Sequence, residues 1–326
     1  MVFNYVMKVL VTGGAGFIGS NLCQKLLKLG FQVRVVDNFS SGFIKNLEGL
    51  NIELVNENLE NRNIIYRQDI FGDIDIVFHL AANVDNRFTW ENPHLSLEAN
   101  TISTLNVGLG AKNHQVKKII YASTGTVYGA QENAPFFESD VAVDQTSLYA
   151  ATKLSGEMLL SVFSHHHNLQ VSCLRFVGVL GPCYSHGHIY DFVKQLLVNK
   201  NSLTVLGNGD QKKAYIHVDD LCQILVEESQ AKRQNGFEVI NIGREDYSTV
   251  KQSVRWICEE MKVEPKVIYG ESKIGWIGDN PQLYLDTQRA RNLGYGVSKS
   301  IEASVKETAN WLVNNQWIFE KNNSAD

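Results

Sequence analysis

The sequence has few of the features that mark membrane, secreted or metal-binding proteins. Its apolar runs are too short to span a bilayer, and residues 1–6 lack the basic start and long apolar stretch of a signal peptide. The five cysteines are scattered and form no C-x-x-C pair, so the sequence predicts neither a disulfide framework nor a metal site. These features predict a cytoplasmic protein with reduced thiols.

Prolines and excess charge are also scarce. With 5 prolines, no Pro/Ser-rich linker and no internal repeat, the C-terminal part is expected to pack against the rest of the chain. A net charge of −5 argues against nucleic acid or an anionic membrane as the main partner, although local basic groups can still bind an anionic substrate. The 326 residues fit one large domain or two joined ones, and we predict a division into residues 1–177 and 178–326.

What the sequence does have is a glycine-rich turn near its start. The apolar run Val9–Thr12 leads into Gly13, Gly16 and Gly19, and a helical apolar pattern follows at once. A strand, a tight turn and a helix in this order are typical of the opening of a dinucleotide-binding βαβ unit. Glycine lets the backbone approach a pyrophosphate, which the positive end of the helix stabilises.

An acidic residue ends the second predicted strand. Asp37 follows the apolar strand Phe31–Val36, where a carboxylate can accept hydrogen bonds from the adenosine ribose hydroxyls. The same charge would repel a 2′-phosphate, so the pattern favours NAD over NADP. The alternative is an incidental acid in a nucleotide-shaped fold, but the glycine-rich turn upstream favours cofactor binding.

The order of the predicted elements indicates the fold class. Strands alternate with helices up to about residue 180, which predicts an α/β fold with a doubly wound parallel sheet, the Rossmann fold. A smaller C-terminal α/β region is predicted to bind substrate. The ligand is expected beyond the carboxyl ends of the strands. Further strands are predicted at 52–55, 75–80, 118–123 and 170–176, and helices at about 95–114, 146–165, 189–199, 218–230, 248–260 and 300–313.

A second group of residues indicates chemistry. Thr124 follows the fifth predicted strand, and Tyr149 and Lys153 lie at i and i+4 on one face of a later helix. An ammonium beside a phenol lowers the phenol's pKa and so creates a base that works near neutral pH. The Thr124 hydroxyl can hold the substrate oxygen. The alternative is a tyrosine beside a solvated lysine on a surface helix, but the NAD pattern upstream favours catalysis.

These motifs occur together in a known family. The segments are Val11–Ser20, Asp37–Gly42, His79–Ala82, Tyr121–Thr124, Tyr149-x-x-x-Lys153, Gly207-x-Gly-x-Gln211 and Ile216–Asp220. From about residue 7 to 315 the chain resembles the extended short-chain dehydrogenase/reductase family, specifically its nucleotide-sugar epimerases and dehydratases. The resemblance implies a tightly held NAD and a nucleotide-sugar substrate. It also implies a homodimer formed through helices 95–114 and 146–165.

The resemblance gives the candidate residues roles. It implies that Tyr149 takes the proton of the sugar 4-hydroxyl while hydride passes to NAD. Lys153 would lower the tyrosine pKa and bond the nicotinamide ribose, and Thr124 would fill the family's Ser/Thr position.

Related 4,6-dehydratases carry an Asp-Glu pair after the threonine, whereas this chain has Gly125-Thr126, which cannot act as carboxylic acids. We therefore predict an NAD-dependent 4-epimerase of a nucleoside-diphosphate hexose. The alternatives are a 4,6-dehydratase or decarboxylase of the same family, or a non-catalytic NAD-binding regulator.

The cofactor positions carry over with one departure. Asn58-Leu59 stands where the family usually has an Asp-Leu or Asp-Ile pair that contacts adenine, and Asp69-Ile70 is a rival for that role. The residues that the resemblance assigns to the cofactor are Gly13, Gly16, Phe17, Ile18, Gly19, Asp37, Asn38, Ser41, Gly42, Asn58, Leu59, Leu80, Ala81, Ala82, Asn100, Ala122, Tyr149, Lys153 and Val177.

The substrate positions depart further from the family pattern. Gly178 replaces an asparagine that usually contacts the nucleotide sugar. Lys213 and Trp276 stand where arginines usually bind phosphate, and a lysine keeps the charge but loses the bidentate geometry. These changes leave the identity of the sugar open. The residues assigned to the substrate are Thr124, Gly178, His188, Lys213, Lys273, Trp276 and Asp279.

Overall fold

The computed structural model describes residues 6–84, 91–129, 134–273 and 282–320. The chain divides into two compact units. The first comprises Met1–Ala130, Glu138–Phe176 and Cys222–Asn241, and the second comprises Gln131–Phe137, Val177–Leu221 and Ile242–Asp326.

The elements of the described residues follow in chain order. The strands are β1 (Lys8–Thr12), β2 (Gln32–Asp37), β3 (Glu53–Asn56), β4 (Ile76–His79), β5 (Lys118–Thr124), β6 (Gln170–Phe176), β7 (Gly178–Leu180), β8 (Ser202–Val205), β9 (Lys212–Lys213), β10 (Tyr215–His217), β11 (Phe237–Ile242), β12 (Ser248–Thr249), β13 (Lys266–Tyr269) and β14 (Gln282–Leu283). The α-helices are α1 (Phe17–Lys28), α2 (Gln68–Phe71), α3 (Pro93–Ser96), α4 (Ser103–Asn113), α5 (Leu148–His167), α6 (His188–Val198), α7 (Val218–Gln230), α8 (Val250–Met261), α9 (Gln288–Asn292) and α10 (Ile301–Asn314).

A seven-stranded sheet forms the centre of the first unit. Its strand order is β11-β6-β5-β4-β1-β2-β3, and the pairings from β3 across to β6 are parallel. All residues of β4 and β5 are buried, because their apolar runs face helices on both sides of the sheet. The order reverses between β1 and β4, which is the crevice where doubly wound sheets bind ligands. The predicted Rossmann fold class is confirmed.

The long helix α5 is built by ordinary helix signals. The Ser147 side chain accepts a hydrogen bond from the backbone N–H of Ala150, which caps the N-terminus. Asn168 follows the last turn in the left-handed conformation, with φ of 52°, and ends the helix. Histidines 165–167 fill the last turn, where the helix dipole favours positive charge. These signals place the second residue of the helix, Tyr149, next to the end of β5.

The helix predicted at 95–114 is interrupted. It consists of α3, a π-helical turn over Leu97–Ile102, and α4. The wider turn contains Asn100, whose backbone carbonyl accepts a hydrogen bond from the Thr104 hydroxyl at 2.5 Å. Such π-turns often occur at functional sites, because the extra residue redirects one side chain.

The chain returns to the first unit after residue 221, since Cys222–Asn241 belongs to that unit. The predicted division into residues 1–177 and 178–326 did not include this return. Strand β11 extends the sheet beside β6. The buried Glu228 of α7 accepts hydrogen bonds from Lys118 Nζ at 3.1 Å and from the Ser172 hydroxyl at 2.7 Å. A buried charge needs such partners, so these bonds hold α7 against the N-terminal halves of β5 and β6. The assignment of cofactor and substrate to two parts of the chain stays a prediction.

The second unit is a small α/β assembly. Within its described residues, β7 pairs with β10 and β8 with β13 in parallel, while β9 lies between β12 and β14. Helices α6, α8 and α10 pack on one another. Among all described residues of the chain, no helix combines the length and apolar character needed to cross a membrane.

Substitution of Gly110 tests the packing of α4 on the core. An added Cβ would lie 2.3 Å from a ring carbon of the buried Phe71, so Gly110→Ala is expected to cost about 1–3 kcal/mol of the free energy of unfolding through overpacking. Gly296→Ala is the control, because nothing lies within 4 Å of its added Cβ. Urea denaturation measures both variants, and equal stability of the two would contradict the described packing.

Candidate active site

The glycine-rich turn after β1 leaves no room for side chains. Gly13 has φ of +68°, and a Cβ on it would lie 2.8 Å from the backbone of Ala81. A Cβ on Gly19 would lie 2.2 Å from the carbonyl oxygen of Gly13. Only glycine fits at both positions, so the turn brings α1 and the loop after β4 close to the end of β1.

The start of α1 suits an anion. Gly16 is its N-cap residue, no side chain caps it, and its first turn contains no acidic residue. By contrast, Ser147 caps α5 and Thr249 caps α8. Backbone N–H groups at an uncapped N-terminus bind phosphate well, so Gly16, Phe17, Ile18 and Gly19 fit the pyrophosphate of a dinucleotide.

Asp37 is fixed at the carboxyl end of β2. Its Oδ2 accepts a hydrogen bond from the Ala15 N–H at 2.9 Å, and its Oδ1 accepts one from the Phe39 N–H at 2.8 Å. A carboxylate at the end of the second strand of such a sheet suits the hydroxyls of a ribose. Gly42 lies against this carboxylate, since a Cβ there would be 3.1 Å from Oδ1. Ser41 is exposed beside it.

The predicted adenine residues lie near Asp37. Asn38 donates a hydrogen bond from Nδ2 to Asn58 Oδ1 at 3.3 Å, and Leu59 is buried next to it. The rival Asp69 instead pairs with Arg67, which donates to its Oδ1 at 2.7 Å and lowers its pKa. The structure therefore brings Asn58 and Asn38 together and commits Asp69 elsewhere.

The loop after β4, which contains Leu80, Ala81 and Ala82, is held by two buried side chains. His79 hydrogen-bonds the Thr12 hydroxyl at 2.8 Å, and burial lowers its pKa to about 3, so the ring is neutral. Asn100 accepts a hydrogen bond from the Asn83 N–H at 2.8 Å and donates one to the Thr152 hydroxyl at 3.0 Å. Asn100 thus links this loop to α5, whereas its contact with the cofactor stays a prediction.

The three predicted reacting residues lie where β5 meets α5. The Thr124 side chain lies close enough to the Tyr149 phenol to lower its pKa. Lys153 is buried and donates a hydrogen bond from Nζ to the Ala122 carbonyl at 2.7 Å. Its Nζ also lies 4.6 Å from the centroid of the Tyr121 ring. The strand end therefore gathers a hydroxyl, a phenol and an ammonium group in a site with little water.

The pKa values in this site are governed by burial. Burial raises the pKa of Tyr149 to about 12, and the adjacent Thr124 side chain offsets only part of that rise. Burial also lowers the pKa of Lys153 to about 7, against the attraction of Glu157. We expected Lys153 to lower the tyrosine pKa, but the lysine donates its hydrogen bond to Ala122 and burial dominates the tyrosine pKa.

Residues predicted to bind substrate include a cluster in the second unit. The ring of Tyr215 packs against the backbone of Gly178, since a Cβ on Gly178 would lie 2.6 Å from that ring. The Tyr215 hydroxyl lies 3.0 Å from Nδ1 of His188, the first residue of α6. We did not predict that Tyr215 belongs to this cluster. An available signal was an aromatic residue shortly after Lys213, in a strand that pairs with the strand of Gly178.

Three further predicted positions also belong to the second unit. Lys213 lies in β9, Val177 is buried, and Lys273 is exposed. Trp276 and Asp279 lie outside the described residues.

The described residues contain one group with metal-ligand atoms. His217, Asp219 and Glu307 place such atoms close together. Lys299 supplies a cation to the same group, with Nζ 3.2 Å from the Asp219 carboxylate and 2.6 Å from the Glu307 carboxylate. One side-chain cation therefore already bridges the two carboxylates of this group.

A buried network beside Lys153 was missed by the sequence analysis. Glu157 accepts hydrogen bonds from the Ser123 hydroxyl and from Arg175, whose Nη2 lies 2.6 Å from Oε2. Arg175 also donates to the Tyr128 hydroxyl at 3.1 Å. The available signal was the acid at i+4 after Lys153, which faces the same side of the helix.

The glycine turn, the uncapped helix and the Asp37 carboxylate at the end of β2 are typical of a dinucleotide-binding protein, here with a tyrosine-lysine pair. Comparison with known proteins narrows this class. The sequence model of the "NAD dependent epimerase/dehydratase family" matches residues 9–243, so the chain belongs to that family. The predicted family and the NAD cofactor are thereby confirmed.

Relatives and solved structures agree with this membership. A UDP-glucuronate 4-epimerase of Thermodesulfobacterium geofontis is 30% identical over 94% of this chain and 96% of its own length. A UDP-galactose 4-epimerase structure has a TM-score of 0.86 at 30% identity and covers 95% of this chain and 100% of its own. The UDP-glucuronic acid 4-epimerase of Bacillus cereus, solved with UDP-glucuronic acid and NAD, has a TM-score of 0.85 at 26% identity, covering 94% and 99%.

Substitution of Asp37 tests the cofactor site. In Asp37→Asn the amide loses the charge and turns one N–H group toward a backbone donor, so we expect NAD affinity to fall at least about tenfold. The preference for NAD over NADP should narrow in parallel. Calorimetric titration of cofactor-stripped protein with NAD and with NADP measures the two affinities. Asp73→Asn on the exposed surface is the control. Unchanged NAD affinity in Asp37→Asn would refute the assignment.

Proposed function

We propose that this protein is an NAD-dependent nucleotide-sugar 4-epimerase. The observation that carries the proposal is the group formed by Thr124, Tyr149 and Lys153 at the carboxyl end of β5. Gly125 and Thr126 follow the threonine, so no carboxylic acid stands at the position where dehydration would need one. The relatives described as 4-epimerases support the same reaction.

The residues divide the work of one reversible oxidation. Bound NAD supplies an acceptor and later a donor for one hydride. The Thr124 hydroxyl holds the sugar 4-oxygen. Tyr149 takes the proton of the sugar 4-hydroxyl and later returns it to the same oxygen. Because the resting pKa of Tyr149 is about 12, its phenolate needs a positive charge nearby. The Lys153 ammonium, one turn along the same helix face, supplies that charge.

The substrate is proposed to be a nucleoside-diphosphate hexose. Several similar proteins are described with UDP-sugars, which favours a uridine nucleotide. Lys213 and Lys273 are the proposed cations for the diphosphate. Gly178, His188, Trp276 and Asp279 complete the proposed sugar and nucleotide contacts.

The reaction is tested by incubating the protein with a panel of UDP-hexoses in D₂O and analysing the products by NMR and mass spectrometry. A 4-epimerase returns the hydride it removed, so the product should keep the substrate's mass and carry no deuterium at carbon 4. Loss of water would indicate a dehydratase, loss of carbon dioxide a decarboxylase, and no turnover with NAD bound a regulator. Each of these outcomes would overturn the proposal.

The catalytic role is tested with Tyr149→Phe. Removal of the hydroxyl eliminates the proposed base, so kcat should fall by at least about 10²-fold while NAD remains bound. Tyr66→Phe is the control, because Tyr66 is 73% exposed on the first unit. Activity close to wild type in Tyr149→Phe would exclude Tyr149 as the base.

We also propose a homodimer formed through the α4 and α5 face. Met158 and Val162 are each 55% exposed and lie one turn apart on α5. Leu95 and Leu97, just before α4, are also nearly half exposed. Apolar side chains grouped at helical spacing are typical of an interface between copies.

The double variant Met158→Glu/Val162→Glu tests this interface. Burying two charges in a dimer interface is unfavourable, so sedimentation should show a monomer where the wild type is a dimer. Val143→Glu is the control, because Val143 is fully exposed elsewhere on the surface. A monomeric wild type, or a dimeric double variant, would contradict the proposal.

A further inference from the structure

A buried carboxylate lies one helical turn beyond Lys153. Glu157 is 2% exposed, and its Oε1 accepts hydrogen bonds from the Ser123 hydroxyl and from Arg175 Nε at 2.9 Å. Its Oε2 accepts a second bond from the same guanidinium at 2.6 Å. This two-point arrangement fixes the carboxylate firmly, because both oxygens are used and the guanidinium is planar.

The residues at the end of β5 are each tied to α5. The Ala122 carbonyl accepts from Lys153, the Ser123 hydroxyl donates to Glu157, and the Thr124 side chain lies close to the Tyr149 phenol. The first and third of these contacts involve proposed reacting groups. The middle one has no such role, yet it lies between them and sets the distance between the strand end and the helix.

The charge of Glu157 matters as much as its geometry. Lys153 is 2% exposed, and its ammonium has a carbonyl and an aromatic face as contacts. A buried ammonium is stable only with a negative charge nearby, and Glu157 attracts it from the next turn of the same helix. The ionisable groups that surround Lys153 are Tyr149 and Glu157 on α5, Tyr121 on β5, Cys173 and Arg175 on β6, and His79 on β4.

We propose that Glu157 is a positioning residue for the reaction, which holds the Thr124 end of β5 against α5 and supplies the negative charge that keeps Lys153 an ammonium ion. Arg175 fixes Glu157 in place through both carboxylate oxygens. The inference rests on the proposed function, because it assigns Glu157 to the same reacting group. Glu157 acts through Lys153 and Ser123 and is not placed in contact with substrate.

Glu228 offers a matched control within the same unit. It is fully buried, and like Glu157 it accepts a hydrogen bond from a serine, Ser172, and pairs with an arginine, Arg233. It neutralises a lysine, Lys118, at the opposite end of β5. A change from glutamate to glutamine therefore breaks equivalent interactions at both sites, but only one site contains Lys153.

The first experiment follows the charge of Lys153 directly. Protein with ¹³C-labelled lysine side chains is titrated by NMR, and the Lys153 signal is assigned by its loss in Lys153→Met. In Glu157→Gln the midpoint for Lys153 should fall by at least about one pH unit, because a nearby opposite charge is removed. In Glu228→Gln the midpoint should stay at the wild-type value. An unmoved midpoint in Glu157→Gln would overturn the inference.

The second experiment reads the same change in activity. Lys153 is needed as an ammonium, so activity is lost as pH rises through its pKa, and a lower pKa moves this loss to lower pH. At pH 8, kcat of Glu157→Gln should fall about tenfold relative to wild type, with a smaller loss at pH 6 and little change in KM. Glu157→Asp, which keeps the charge, should restore the wild-type pH profile in part. A loss of equal size at every pH would contradict the charge role.

Two safeguards keep the outcomes distinct. If Glu157→Gln does not fold, Glu157→Gln/Arg175→Met removes both partners of the buried pair and leaves no unpaired charge between them. The NMR titration of that double variant then decides. The midpoint for Lys153 should again fall by at least about one pH unit, and an unmoved midpoint would overturn the inference. If wild-type protein does not epimerise any sugar, the proposed function fails, whereas the Lys153 titration still tests the electrostatic effect of Glu157 on Lys153.

Discussion

The burial of the Lys153 ammonium is the constraint on which the site depends. A charged group without water requires compensating partners, and three groups on two elements supply them: the Ala122 carbonyl and the Tyr121 ring on β5, and the Glu157 carboxylate on α5. These partners determine how close the helix lies to the strand. Because Tyr149 and Thr124 belong to the same two elements, their separation follows from the arrangement that accommodates the lysine.

The cofactor side follows a different principle. There the important groups are backbone atoms: the uncapped N–H groups of α1 and the tight turn whose glycines exclude side chains. Asp37 is the exception, and even it is held by backbone N–H groups of Ala15 and Phe39. Backbone atoms move little when side chains change, so the geometry of this part of the chain depends little on the surrounding side chains.

Much of the fold followed from the sequence, because its signals are local. The apolar runs of β4 and β5, the glycine turn and the helix of Tyr149 all depend on neighbouring residues. The π-turn at Asn100 and the return of residues 222–241 to the sheet depend on distant partners, Asn83 and Lys118, which no local pattern identifies. The pKa of Tyr149 likewise depends on burial, which spacing along a helix does not report.

The contact between Gly178 and the Tyr215 ring has a consequence for the residues that position 178 can accept. Any side chain at position 178 would need the volume that the ring occupies, and the ring is itself held by its hydroxyl beside His188. A single exchange at position 178 would therefore collide with the aromatic ring. Replacement of Gly178 requires a paired replacement of Tyr215, so the two positions are expected to change together.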